Sequence, residues 1–126
     1  MVNRTALGLA LVAGIALGAI GSRSLHAQRP PVGYFIGEIQ DVTNPTDMST
    51  YTAAAPETVA KGGGRYLVRG GKAEGLEGEP PGRTIVLAFD SVEAARKWYA
   101  SSEYSAIKPI RQRSSTGRAF IVEGVP

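Results

Sequence analysis

The sequence predicts a single α+β domain built on a four-stranded antiparallel sheet. Segments rich in β-branched and aromatic residues alternate with helical stretches in the order strand, helix, strand, strand, helix, strand. Clusters of glycine and proline separate these segments. The length of 126 residues fits one domain with a short N-terminal extension. This order of elements is a split β-α-β arrangement, the ferredoxin-like topology.

Residues 1–27 have the pattern of a secretory signal peptide. Arg4 supplies the positive start, residues 6–20 form an uncharged apolar run, and Ala27 offers a small residue for cleavage. The apolar run is shorter than the ~20 residues that a membrane-spanning helix needs. We therefore expect a periplasmic or secreted protein that is cleaved after Ala27. An uncleaved segment would instead tether the protein to the membrane.

The predicted mature chain consists of an extended leader at 28–32 and a domain at 33–126, and it contains neither Cys nor His. Cys is absent from the sequence, and the only histidine is His26. This composition excludes disulfides, thiol chemistry, Cys/His zinc sites and nucleophiles activated by His, so no metal or cofactor is expected. Lys and Arg are interspersed with acidic residues rather than clustered, so nucleic-acid binding is not expected.

Four segments combine β-branched and aromatic residues and predict the strands. They are residues 33–39, 65–69, 83–89 and 119–123. The glycines at 70–71 predict a bulge or bend, after which residues 72–77 would continue the second strand. The third strand is apolar on both faces, so a sheet with helices on one side leaves an apolar face uncovered. A second copy of the chain would cover it.

Two helices are predicted between these strands. The first starts at Asn44, an N-cap residue followed by proline, and is expected to kink or weaken at Pro56. The second is capped at residues 90–91 and places its apolar side chains on one face. Residues 101–110 are expected to form a loop with a short helical turn, because Pro109 limits a longer helix.

The most distinctive run, GGRYLVRGG at residues 63–71, resembles the family known as domain of unknown function 1330. The other matching features are Gly33-Tyr34, the Glu77-Gly78 turn, Arg83, Ala94-Ala95, Trp98-Tyr99, Ser102-Glu103-Tyr104, Arg111 and IVEG at 121–124. The resemblance covers residues 32–125 and implies a dimeric α+β barrel, in which the sheets of two protomers face each other. It implies no catalytic residue, because the family has no established reaction. Asn44 stands where the family usually has Asp.

Two arginines that border apolar strand residues are candidate ligand-binding groups. Arg69 ends the second strand and Arg83 begins the third. A guanidinium at such a place can bind a carboxylate or phosphate through its fork of donors. Structural pairing with Glu38, Glu74 or Glu77, or a solvent-facing charge at the strand edge, explains the same residues.

A set of aromatic residues supplies further candidates. They are Tyr34, Tyr51, Tyr66, Trp98 and Tyr104. Aromatic side chains with polar tips commonly line clefts between a sheet and its helices, but core filling and dimer contact explain the same residues without a ligand and are favoured. Tyr104, seven residues before Arg111, is the one expected to reach a pocket. Asn44 is a further polar candidate, although N-capping accounts for it.

Three functions stay open at this level. The first is binding of a small polar or anionic molecule by Arg69, Arg83, Tyr104, Arg111, Tyr34, Trp98 and Asn44. The second, implied by similar dimeric barrels, is a cofactor-independent monooxygenase, isomerase or decarboxylase that acts on small aromatic or polyketide-like compounds. The third is a ligand-free structural dimer. A second copy of the chain is the only macromolecular partner expected.

Overall fold

The structure, a computed structural model, describes residues 29–126, so the predicted signal peptide and its cleavage site lie outside the described residues. Its elements are β1 (Gly33–Val42), α1 (Pro45–Lys61), β2 (Arg65–Arg69), β3 (Arg83–Phe89), α2 (Val92–Tyr99), α3 (Ser102–Ser114) and β4 (Ser115–Glu123). The strands form one antiparallel sheet in the order β2-β3-β1-β4. The predicted α+β, ferredoxin-like fold class is confirmed.

Helix α1 begins where the local sequence predicts. Asn44 has extended backbone angles, and its side-chain oxygen accepts a hydrogen bond of 3.1 Å from the backbone N–H of Asp47. This contact satisfies one of the N–H groups that a helix start leaves without a partner. Pro45 occupies the first helical position, where no N–H is needed. The helix is continuous across Pro56 and ends at Lys61.

Residues 101–110 belong mostly to helix α3, so the prediction of a loop for this segment is wrong. Ser101 caps the helix by accepting a hydrogen bond from the backbone N–H of Tyr104. Pro109 lacks the N–H that would bond to the carbonyl of Ser105. Both residues are exposed, so water can satisfy that carbonyl and the helix continues. The described chain thus has three helices rather than two, none long and apolar enough to cross a bilayer.

Two strand boundaries also differ from the prediction. Strand β2 ends at Arg69, and residues 72–77 form no strand. Gly70 has a φ of 67°, which turns the chain out of the sheet. Strand β4 begins at Ser115, well before the predicted residues 119–123, because the long strand β1 continues beside it and pairs with it.

One face of the sheet, which we call the inner face, packs against the helices and forms the core. Phe35, Leu87 and Phe89 project from it and are buried. The ring of Trp98 packs against Phe35 and Phe89 with centroid separations of 5.1 and 5.4 Å. Its indole Nε1 donates a hydrogen bond of 3.2 Å to the hydroxyl of Thr58, so the one polar atom of this side chain is satisfied inside the core.

The opposite face of the sheet, which we call the outer face, carries apolar side chains that remain in part accessible. They are Tyr34, Ile36, Val68, Val86, Phe120 and Val122. Val68, Phe120 and Val122 are 38%, 40% and 42% exposed, respectively. Two-residue alternation along the strands places them opposite the core residues. The sheet is therefore apolar on both sides, as the third strand predicts.

Candidate functional site

A cavity of about 280 Å³ lies between the inner face of the sheet and the helices. Its apolar lining includes Phe35, Ile39, Ile85, Tyr99 and Ala119, and its polar lining includes Tyr51, Arg111, Gln112, Ser115 and Thr116. Apolar walls with a few convergent polar groups are typical of small-molecule sites, and this volume lies just below the usual range of about 300–1,000 Å³. The cavity is therefore suited to a small ligand.

Three side chains form a hydrogen-bonded group beside this cavity, which we call the Tyr–Tyr–Arg cluster. The phenol oxygens of Tyr51 and Tyr104 are 2.6 Å apart, and Nε of Arg111 donates a 3.3 Å hydrogen bond to the Tyr104 oxygen. Tyr104 and Arg111 are seven residues apart on α3, which is about two helical turns, so they share one face. Tyr51 reaches the same point from α1.

Arg111 is half-buried and has no carboxylate partner. All 11 acidic residues of the chain lie within residues 38–123. The ion pairs formed among the described residues all involve other cations. Partial burial opposes the charged form of Arg111, but the adjacent Tyr104 and Tyr51 oppose this effect and the pKa is raised overall. Arg111 therefore places a permanent positive charge in the wall of the cavity.

The terminal nitrogens of Arg111 are unused donors. Only its Nε takes a hydrogen-bond partner within residues 29–126. In the same part of the chain no buried side-chain nitrogen or oxygen lacks a partner, so the two Nη groups are accessible rather than sealed in the core. A planar guanidinium with both Nη groups accessible can bind a carboxylate in a bidentate manner.

Tyr51 is a hydrogen-bond donor rather than a base at neutral pH. Burial is the largest cause of a pKa raised above the ordinary 10.0, and the adjacent Tyr104 raises it further. The phenol therefore keeps its proton. Since Tyr104 accepts from Arg111, it can donate its own proton to Tyr51, which leaves the Tyr51 proton available to a ligand.

The two strand arginines predicted as candidates lie away from this cluster. Arg69 is exposed, and its guanidinium carbon lies 4.8 Å from the centre of the Tyr66 ring, a cation–π contact. Arg83 lines a separate cavity of about 340 Å³ beside the start of α1. Neither arginine pairs with a carboxylate among residues 29–126, so the alternative of a structural ion pair is not observed.

The remaining predicted candidates have different surroundings. Tyr34 lies on the outer face, and Asn44 is an exposed helix cap. Trp98 is 2% exposed and bonded within the core. Tyr104 is fully buried and does not line the cavity, so it positions Arg111 instead of meeting a ligand. Of the predicted candidates, the structure brings Tyr51, Tyr104 and Arg111 together beside the cavity.

One residue that lines the cavity, Gly37, was missed at the sequence level. It lies in the centre of β1 on the inner face and is buried. The available signal was a glycine inside an otherwise apolar and aromatic strand, since such glycines often mark a close approach of another group. Glu38 and Arg118, which form an ion pair across β1 and β4, also line the cavity.

Comparison with known proteins places the chain in a family. The model of the family described as domain of unknown function (DUF1330) matches residues 32–125. None of the curated proteins is similar enough to match the chain. A protein of unknown function from Rhodopseudomonas palustris has a similar structure, with a TM-score of 0.61 and 14% identity over 82% of this chain and 91% of that chain.

Two further solved structures share the fold. SnoaB, a cofactor-independent oxygenase from Streptomyces nogalater, has a TM-score of 0.54 and 11% identity over 76% of this chain and 95% of its own. A hypothetical protein from Arabidopsis thaliana has a TM-score of 0.54 and 14% identity over 78% of this chain and 89% of its own. At such identities the likeness concerns the fold alone. The match over residues 32–125 shows that this chain belongs to the domain of unknown function 1330 family.

Proposed function

We propose that this domain binds a small anionic molecule in the cavity between its sheet and its helices, with Arg111 as the anion-binding group. The observation that carries this proposal is the half-buried guanidinium of Arg111, which has accessible Nη donors and no carboxylate partner. Partial removal of a charge from water without a counter-charge costs free energy. An anionic ligand would supply that counter-charge and use both donors.

The two tyrosines give the site its second element of recognition. Tyr104 holds Nε of Arg111, which reduces the freedom of the guanidinium before a ligand arrives. Tyr51 lines the cavity and is a protonated phenol, so it donates to the same anion. Both groups are in place without a ligand, and this preorganisation favours affinity.

A cofactor-independent enzyme is the second function considered. The fold shared with SnoaB supports it only as a likeness of fold, which is weak support for any reaction. Such an enzyme needs a group that accepts a proton from its substrate, and the raised pKa of Tyr51 argues against a role as that base. Product analysis after incubation with each bound molecule separates turnover from binding.

The binding proposal is tested by calorimetric titration of the full chain with acetate, benzoate and inorganic phosphate, and with benzyl alcohol as the neutral probe. Arg111→Gln removes the charge in the cavity. Arg113→Gln makes the same change on the same helix at a residue that pairs with Asp47 instead. We expect at least one anion to bind and to lose about tenfold or more in affinity in Arg111→Gln only.

Equal loss in both arginine variants, or binding of benzyl alcohol as tight as that of the anions, contradicts the proposal. Absence of binding for all three anions, with no turnover, would instead favour the third function, a ligand-free structural dimer. Circular dichroism of each variant shows that a loss of binding is not a loss of fold.

We further infer that two copies of the chain pair through the outer face of the sheet. The apolar side chains there, among them Phe120 and Val122, are partly exposed in the single chain. Contiguous exposed apolar surface of this kind typically marks an interaction site. A second copy presents the same apolar surface and would cover it by two-fold symmetry.

We propose export from the sequence pattern of residues 1–27 alone. The mass of the protein recovered from the periplasm tests this. A chain that starts at Gln28 supports cleavage after Ala27, and a full-length chain recovered with the membrane shows that the segment is retained as an anchor. A full-length chain in the cytoplasm contradicts export.

A further inference from the structure

The free volume of the cavity depends on one glycine in the middle of β1. Gly37 lies on the inner face between Phe35 and Ile39, with Ile85 and Ala119 beside it on the neighbouring strands. Every second residue of a strand projects to the same face. A side chain at this position would therefore extend from the sheet into the volume that the cavity occupies.

Nothing in the backbone requires glycine at position 37. Its φ is not positive, and an added Cβ would meet Cε1 of Phe35 at 3.4 Å and Cβ of Ile85 at 3.6 Å, which are ordinary contacts. Gly117 differs, because its φ is 151° and a Cβ there would overlap the carbonyl oxygen of Glu38. Glycine inside a strand is unfavourable, since it loses conformational freedom and packs no side chain. At position 37 the backbone does not require glycine, and glycine there leaves the cavity open.

The charges around the cavity leave one positive charge without a partner. Glu38 and Arg118 face each other across β1 and β4 and form an ion pair. Among the described residues that line the cavity, Arg111 is then the only cation that lacks a carboxylate. This balance suits a monoanion. A second negative charge on the ligand would find no free cation among the described residues that line the cavity.

We propose that Gly37 is the specificity-determining residue of this site and that the ligand class is an aromatic monocarboxylate. This inference rests on the anion-binding function proposed above. The carboxylate binds Arg111, and the ring lies over Gly37 against Phe35 and Ile85. The rings of Phe35 and Tyr99 give the wall an aromatic character that favours a flat ring over an alkyl chain. The volume of about 280 Å³ suits a ligand of this small size.

The test compares three carboxylates by calorimetric titration of the full chain: benzoate, acetate as the anion without a ring, and phthalate as the dianion with the same ring. Gly37→Val fills the space over the strand. Gly71→Val is the matched control, because a Cβ at Gly71 meets nothing within 4 Å and Gly71 does not line the cavity.

We expect the wild-type chain to bind benzoate about tenfold or more tightly than acetate or phthalate. One extra or missing methylene group in an apolar pocket changes discrimination by roughly 10- to 200-fold, so Gly37→Val should weaken benzoate binding by at least about tenfold. Acetate, which needs only Arg111, should change by less than about twofold, and Gly71→Val should behave as the wild type.

The experiment distinguishes a wrong assignment of Gly37 from a wrong anion-binding function. If acetate binds as tightly as benzoate in an Arg111-dependent way, or if Gly37→Val binds benzoate normally, the assignment of Gly37 is wrong and the anion-binding function stands. If no anion depends on Arg111, the anion-binding function itself is wrong. Should Gly37→Val fail to fold in circular dichroism, Gly37→Ala takes its place, because its single methyl makes only ordinary contacts. Unchanged benzoate affinity in Gly37→Ala would then overturn the inference.

Discussion

The phenol oxygens of Tyr51 and Tyr104 lie 2.6 Å apart, although 53 positions separate the two residues along the chain. This bond joins α1 to α3. Because Tyr104 also accepts a hydrogen bond from Arg111, the packing of the two helices and the placement of the cationic group depend on the same phenol. Changes at either tyrosine should therefore be measurable both in stability and at the cavity.

The first prediction concerns the unequal roles of these two phenols. Tyr51→Phe removes one hydrogen bond and should lower the free energy of unfolding by about 0.5–1.5 kcal/mol. Tyr104→Phe leaves both Tyr51 and Nε of Arg111 without a partner and should cost more, about 1–3 kcal/mol. Denaturant titration of each variant measures these values. Equal losses in the two variants would contradict the arrangement described.

The second prediction follows from the raised pKa of Tyr51. In the folded chain burial keeps this phenol protonated above pH 10.0, the ordinary pKa at which the unfolded chain releases the proton. The unfolded state then binds fewer protons than the folded state, so the free energy of unfolding falls as the pH rises above about 10. Wild-type protein should lose more stability than Tyr51→Phe between about pH 9 and pH 11. Parallel pH profiles of denaturant midpoints would show that Tyr51 is not the group responsible.

The third prediction separates two glycines that face the same side of the sheet. Gly117→Ala places a methyl group against the carbonyl of Glu38 at a positive φ, and should cost about 1–3 kcal/mol of unfolding free energy or prevent folding. Gly37→Ala meets no such obstacle and should be neutral or stabilising by up to about 1 kcal/mol. Thermal unfolding of both variants checks the contrast. A Gly37→Ala variant as unstable as Gly117→Ala would mean that glycine 37 serves the fold.

The fourth prediction tests the pairing of two chains. Phe120→Lys puts a charge among the apolar side chains of the outer face, on strand β4, and sedimentation should show a shift from dimer to monomer. Leu76→Lys is the matched control, since Leu76 is 89% exposed in the loop between β2 and β3 and does not lie on the sheet. A wild-type chain that is monomeric at every concentration would exclude the dimer, and a Phe120→Lys dimer would place the interface elsewhere.

Local signals explain what was predictable in the fold. Asn44 followed by proline predicts the start of α1, and Asn44 does cap that helix. The prediction succeeds because capping depends on atoms only three residues apart. The segment around Pro109 was mispredicted because its local rule is incomplete. A proline inside a helix leaves one carbonyl without its partner, and this costs less where water reaches that carbonyl. The exposure of Ser105 is a property of the folded chain.

Less of the site than of the fold was predictable from the sequence. The spacing of Tyr104 and Arg111 could be read along one segment, although only the helical backbone explains why seven residues bring them together. The contact of Tyr51 with Tyr104, and the absence of a carboxylate beside Arg111, depend on how separate helices pack. Gly37 gave a weak signal, because a strand glycine has several explanations until its neighbours on the adjacent strands are known.

By itself the sequence determined the succession of strands along the chain, the start of the first helix and the apolar character of both faces of the sheet. Each of these follows from short-range periodicity or from neighbouring residues. The tertiary structure alone decided which aromatic residues fill the core, which arginine keeps accessible donors and where a cavity is left. These properties depend on contacts between residues distant in the chain, such as Trp98 with Thr58 and Tyr51 with Tyr104. Such contacts form only when the helices pack on the sheet, so local sequence patterns do not predict them.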